Sequence, residues 1–340
     1  MRSLWFRLWC NVLTCGLLAV ALLWSMGCEG DASAKDQRGE AGARAEMMIV
    51  ATTAMIGDLV RDIAGERADV HVLMGPGVDP HVYRPTRGDV SLLLRADAVF
   101  SNGLHLEGRM DETFERLAVA GKPVFAVAEL LPRDYLLIDD NAQGAPDPHV
   151  WMDVRGWMRV AEIIVESLSR LDESYAAVYR ERGDQLLETL RALDAYAKQS
   201  IASIPLSKRV LVTAHDAFSY FSRAYDIEVQ AIQGISTDSE AGLRRIEELV
   251  ELIVTRRIEA IFTESSVSDK NMRALLEGAK SRGHHVHLGG ELFSDAMGTP
   301  GTYEGTYIGM IDHNVTVITR ALGGTVPDHG FSGRLNGKPE

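Results

Sequence analysis

One interruption in an otherwise regular alternation constrains this chain more than any other feature. From Met47 onward, short apolar runs alternate with amphipathic stretches. The pattern predicts strands over 48–52, 69–74, 98–101 and 123–127, with helices over 54–64, 87–95 and 107–119. Strand–helix alternation at this spacing calls for βαβ units and a mostly parallel sheet. Between 155 and 204 the pattern changes. Apolar residues recur at helical spacing (Val160, Ile163, Ile164, Leu168, Leu171, then Leu186, Leu187, Leu190, Leu193), and no proline intervenes before Pro205. This predicts one helix to about 171 and a second, longer one from 172. Alternation then resumes, with strands expected over 209–213, 228–232, 260–263 and 285–288, and helices over 217–224, 239–256, 270–282 and 303–322. The fold class is therefore α/β: two βα lobes, each a mostly parallel sheet flanked by helices, joined by a long helix. The expected ranges are 46–170 for the first lobe, 171–204 for the linking helix and 205–325 for the second lobe. The Gly/Pro-rich tail, 326–340, is expected to fray.

The segment ahead of Met47 has a different composition. Arg2 and Arg7 precede a stretch from Leu8 to Gly27 without a charge, which is the pattern of a secretory signal peptide over 1–27. It ends in Ser25-Met26-Gly27-Cys28, which resembles a bacterial lipoprotein processing site with Cys28 as the lipidated first mature residue. The alternative is an uncleaved membrane anchor, since the uncharged span is near the ~20 residues that cross a bilayer. Either way the rest is exported, to the periplasm or the outer face of the cytoplasmic membrane, and tethered by an N-terminal lipid or signal anchor. Residues 28–45 read as a flexible tether. All three cysteines (Cys10, Cys15, Cys28) fall in or beside the export segment, so thiolate sites in the lobes are excluded. The net charge is −13. Residues 1–27 hold two arginines and no acid, so cleavage takes it to −15. Such a chain repels phosphate backbones, and nucleic acid is not an expected partner.

Three of the ten histidines sit at the junctions that this map predicts for a cleft between the lobes. His81 lies in Val78-Asp-Pro-His-Val-Tyr-Arg-Pro-Thr86 and His149 in Pro146-Asp-Pro-His-Val-Trp-Met-Asp153, so the word Asp-Pro-His-Val occurs twice. Proline restricts the backbone before each imidazole and aspartate suits a tight turn, which together hold a ring in one place. His215 follows the predicted strand 209–213, at a strand C-terminus where ligands bind in open α/β sheets. A carboxylate partner could come from Asp295, in the loop after the strand at 285–288, or from Glu264, after Ala260-Ile-Phe-Thr263; Asp312 reads as part of a packed helix. His284, His285 and His287 crowd a strand and, like His71, His105, His313 and His329, are read as structural or surface residues. No Gly-x-Ser-x-Gly, His-Glu-x-x-His, P-loop or Gly-x-Gly-x-x-Gly occurs.

Together with Phe262-Thr-Glu-Ser265 and Glu291-Leu-Phe-Ser-Asp-Ala-Met-Gly298, these motifs resemble the zinc/manganese solute-binding proteins of bacterial ABC uptake transporters (cluster A-I, TroA/ZnuA-like), the TroA branch in particular. The resemblance implies two α/β lobes on a rigid backbone helix, with a metal held in the interlobe cleft by His81, His149, His215 and Asp295. It also implies a cognate ABC permease as partner, a monomer, and no catalytic activity. Three imidazoles and one carboxylate favour Zn²⁺, with Mn²⁺ as the alternative cargo. The stretch 134–147 is short and His-free, where many zinc members carry a His-rich loop. A secreted zinc metallohydrolase, or an adhesin on the same fold, is the competing reading.

Overall fold

The computed structural model describes residues 47–139 and 144–335. The expected signal peptide, Cys28 and tether lie outside these residues. The first lobe contains β1 (Met47–Thr53), α1 (Ala54–Ala64), β2 (Ala68–Met74), α2 (Arg87–Arg95), β3 (Ala98–Ser101), α3 (Asp111–Val119) and β4 (Val124–Ala126). A two-residue antiparallel ladder, β5 (Ile138–Asp139) with β6 (Ala145–Pro146), leads to α4 (Val154–Leu171) and α5 (Ala176–Ala202). The second lobe contains β7 (Val210–Thr213), α6 (Ser219–Tyr225), β8 (Glu228–Ala231), α7 (Leu243–Thr255), β9 (Ala260–Glu264), α8 (Lys270–Ser281), β10 (His287–Leu292) and α9 (Tyr307–Ala321). No helix of the described residues is long and apolar enough to cross a membrane.

All the lobe strands pair in parallel. The first sheet has the order β2-β1-β3-β4, and the second lobe holds the pairs β7-β8 and β10-β9, with β7 beside β9. Both faces of the central strands are covered, so β1 from Ile49 onward, β3 and β7 are buried throughout and their neighbours alternate with period two. Ile49 and Ala51 of β1 join a core with α1 and α4, whereas Val50 faces a second cluster with Leu93 of α2 and Phe114 of α3. In the second lobe Ala260 and Phe262 join the first core, while Ile261 faces α7 and α8. That first core runs unbroken from one lobe into the other.

Its spine is α5, whose 27 residues span about 40 Å. The helix packs against α1 and α4 on one side and α6 and α9 on the other. Leu186, Leu187, Leu190, Leu193, Ala197 and Ile201 form the buried stripe that its periodicity predicts.

The element order follows the alternation read from the sequence, but several boundaries move. Helix α3 starts at Asp111 rather than 107, because Glu107 turns inward to accept hydrogen bonds from Thr52 Oγ1 and the amides of Asn102 and Gly103. Helix α7 starts at Leu243 rather than 239, behind Gly242. Helix α9 starts at Tyr307, where the Thr306 hydroxyl accepts the Gly309 amide, rather than at 303. Strand β10 occupies 287–292 rather than 285–288; its central Gly289-Gly290 obscures the strand signal and carries a bulge. The described part of the tail also differs from the expectation of fraying, while residues 336–340 lie outside the described residues. Residues 327–335 fold back on α9, where buried Asp312 accepts the Phe331 amide at 2.8 Å, and Leu335 is buried.

Candidate metal centre

His215 and Asp295 stand just past the carboxyl ends of parallel strands, the position at which a parallel sheet presents loops to a ligand, while His81 lies in the longer loop after β2 and His149 follows β6. His81 lies in the loop after β2, where Asp79 Oδ1 accepts its backbone amide at 2.9 Å. His149 precedes a buried turn, Val150–Met152, that Asp153 joins to α4 by capping the Arg155 amide. Asp147 Oδ1 accepts the His149 amide at 2.9 Å and faces its ring Nδ1 at 2.7 Å. Asn102, past the end of β3, donates Nδ2 to the Pro148 carbonyl and ties this loop to the first sheet.

His215 lies two residues past β7. Glu264, the last residue of β9, holds it on three sides: Oε1 accepts the amides of Ala214 (2.7 Å) and His215 (2.9 Å), and Oε2 faces the ring Nδ1 at 2.5 Å. Asp295 lies three residues past β10. The carbonyl before it, Ser294 O, accepts the indole N–H of Trp151 from the first lobe at 2.8 Å. Tyr307 of α9 donates its hydroxyl to the Trp151 carbonyl at 2.7 Å, and Trp157 lies against the Tyr307 ring. This buried belt fixes the His149 loop against the Asp295 loop.

One donor atom from each of His81, His149, His215 and Asp295 lies within 4.8 Å of all the others, and all four residues are buried. His81 Nε2 is 3.2 Å from His149 Nε2, Asp295 Oδ1 is 3.4 Å from His149 Nε2, and Asp295 Oδ2 is 3.1 Å from His215 Nε2. His215 Nε2 and both Asp295 oxygens have no hydrogen-bond partner among the described residues. Buried polar atoms left in this way are costly unless a ligand engages them.

The electrostatics are those of a cation site filled by protons. Burial pushes the His149 pKa down, but Asp147 and Asp295 outweigh it and lift the pKa to about 9. Burial opposes the charged form of His215 too, and Asp295 with Glu264 carries its pKa well above the ordinary histidine value. Burial alone would raise the Asp295 pKa; the charges of His215 and His149 hold it well below the usual carboxylate range. His81 has no carboxylate on its ring, and burial lowers its pKa to about 3. Three imidazoles and a carboxylate can bind a divalent ion once the two protons leave.

A sequence profile described as ZnuA, zinc-uptake complex component A, periplasmic, matches residues 49–321. The chain belongs to this family. Over 285 residues it is 47% identical to the zinc-binding protein TroA of Treponema pallidum, covering 83% of this chain and 91% of that one. Over 310 residues it is 42% identical to the manganese-binding lipoprotein MntA of Bacillus subtilis, covering 90% and 99%. The solved structure of periplasmic TroA from Treponema pallidum superposes with a TM-score of 0.79 at 46% identity, covering 81% of this chain and 99% of that one. Members of the ZnuA family of this similarity are thus named for different metals.

Of the carboxylates weighed from the sequence, Asp295 joins the histidines and Glu264 stands behind His215. Asp312 is remote, bound to Tyr303 and the tail. Among the other histidines, His284 faces the Ile258 carbonyl, His71 faces Asp69 and His105 faces Asp111, all away from the site. Sequence reasoning gave the aspartate of the repeated word a part in holding the ring, which Asp147 plays, and missed the bracing roles of Glu264 and Trp151. Those two depend on pairing between distant segments.

Proposed function

We propose that this chain is a membrane-tethered, extracytoplasmic receptor that captures one divalent metal ion as cargo and hands it to an ABC permease. His81, His149, His215 and Asp295 are the ligands. The observation that carries this reading is the spacing of the donors. A tetrahedral ion with bonds of about 2.0–2.1 Å sets neighbouring donors about 3.3 Å apart; three of the six donor pairs here are 3.1–3.4 Å apart and all lie within 4.8 Å. Four such donors complete the sphere of a tetrahedral ion and leave no water position, which favours binding over hydrolysis. An imidazole-rich set favours Zn²⁺; two oxygens on Asp295 allow the higher coordination that Mn²⁺ takes. The relatives' names, one zinc-binding and one manganese-binding, support the same pair of ions. Export through residues 1–27 and anchoring at Cys28 place the receptor outside the cytoplasmic membrane, where it works as a monomer.

The test is uptake. Cells lacking the gene should accumulate less radioactive zinc or manganese from metal-limited medium. The intact gene should restore accumulation, and a His149→Ala, Asp295→Ala double variant should not. Equal restoration by both would refute the reading.

A further inference from the structure

The two copies of Asp-Pro-His-Val put their aspartates to different uses. Asp147 spends one oxygen on both the amide and the ring of His149, so loop and imidazole are fixed as a unit. Asp79 holds only the amide of His81. Its other oxygen, Oδ2, accepts the hydroxyl of Thr237, which belongs to the opposite lobe. Thr237 sits between β8 and α7, in a segment, 233–242, that contains no helix or strand. The next residue, Asp238, meets Arg109 of the first lobe through an exposed ion pair at 2.6 Å.

Three other hydrogen bonds that join the lobes near the site are of a different kind. The Trp151 indole on Ser294 O, the Tyr307 hydroxyl on Trp151 O and the Tyr220 hydroxyl on Asp147 O are buried, and they join segments anchored in the common core. The Asp79–Thr237 bond is partly accessible, and its aspartate is the residue that also holds the amide of a site histidine. It borders a cavity of about 320 Å³ that Gln233, Glu240, Ser266 and Asn271 also line. His81 is the most exposed of the four site residues, at 8%, against 0% for His149 and His215.

We propose that the Asp79–Thr237 hydrogen bond is a release latch. While it holds, the His81 loop is pinned across the cleft and His81 stays on the ion. When it breaks, the His81 loop lifts toward the cavity and His81 leaves first. The ion then departs from the three braced ligands without separation of the lobes. Thr237 is thus a positioning residue, acting on the metal through Asp79 and His81. This inference rests on the metal-receptor reading above.

The test compares metal dissociation rates in the full mature chain loaded with Zn²⁺ and chased with a chromophoric chelator. Thr237→Val keeps the shape and removes the donor. It should still bind one ion per chain, with the visible spectrum of the Co²⁺-substituted site unchanged, and should release Zn²⁺ roughly 10- to 100-fold faster, the scale of one lost hydrogen bond to a charged group. Thr237→Ser should restore the slow rate. Arg109→Ala, which removes only the exposed ion pair, should change the rate less than about threefold. Release from Thr237→Val at the parental rate would overturn the latch and leave the receptor reading intact. So would equal acceleration by Arg109→Ala, or a Thr237→Ser variant as fast as the valine. A parent chain that binds neither Zn²⁺ nor Mn²⁺ would overturn both.

Discussion

Each imidazole of the site aims one nitrogen at the centre, and what holds its other nitrogen decides how firmly it stays there. Glu264 and Asp147 brace His215 and His149 through Nδ1, which sets the tautomer and raises the basicity of the nitrogen left for the metal. Glu264→Gln keeps an acceptor for the backbone amides but loses the charge. Its Zn²⁺ affinity should fall about 10- to 100-fold with one ion still bound per chain, as read by competition against a chelator of known strength. The same braces make binding depend on pH. In the metal-free chain His149 holds its proton up to about pH 9 and His215 holds its own well above the ordinary range, so the ion must expel protons to enter. Affinity should therefore climb as pH rises from about 6 and level off only beyond about 9. A flat affinity over that range, measured by the same competition, would contradict the protonation pattern.

At the scale of elements, the loops that carry the site depend on how the helices behind them begin. Gly309, in the first turn of α9, approaches the 303–304 backbone so closely that a β-carbon would lie 1.8 Å from the Tyr303 carbonyl oxygen. Gly298 in turn donates its amide to the Glu304 carbonyl, which links this contact to the Asp295 loop. Gly309→Ala should cost more than about 2 kcal/mol of stability in chemical denaturation, because rigid backbone cannot move aside. Such contacts explain which boundaries were legible. The lobe strands, the site loops and the buried stripe of α5 follow local patterns. The starts of α7 and α9 do not, since Ser239, Glu240 and Ala241 ahead of one and Tyr303 and Glu304 ahead of the other are compatible with a helix, and only the Gly242 and Thr306 caps mark the true first turns. The shift of β10 arose likewise, from a glycine pair whose strand conformation depends on pairing with β9. The folded tail depends on buried Asp312, which local composition cannot reveal.

At the scale of the molecule, the repeated Asp-Pro-His-Val word pointed to two ligand loops, while the route by which distant segments brace them emerged only from the assembled fold. The lobes share α5 and one continuous core, with the tryptophan–tyrosine belt lying beneath the metal centre. Of the five tryptophans only Trp151 and Trp157 fall after residue 28, and the Trp151 ring lies 5.2 Å from that of His149. The tryptophan fluorescence of the mature chain should change on metal binding, and Trp151→Phe should abolish most of that change while leaving the Trp157 signal. A scaffold of this kind moves loops rather than lobes, so metal-free and loaded chains should have radii of gyration within about 1 Å of each other by X-ray scattering. The most direct measurement is X-ray absorption at the zinc edge of the mature chain loaded with one equivalent. The account predicts about four nearest nitrogen and oxygen scatterers at about 2.0–2.1 Å, three of them with the outer scattering of imidazole rings. A spectrum of water oxygens with fewer than three imidazoles would contradict it.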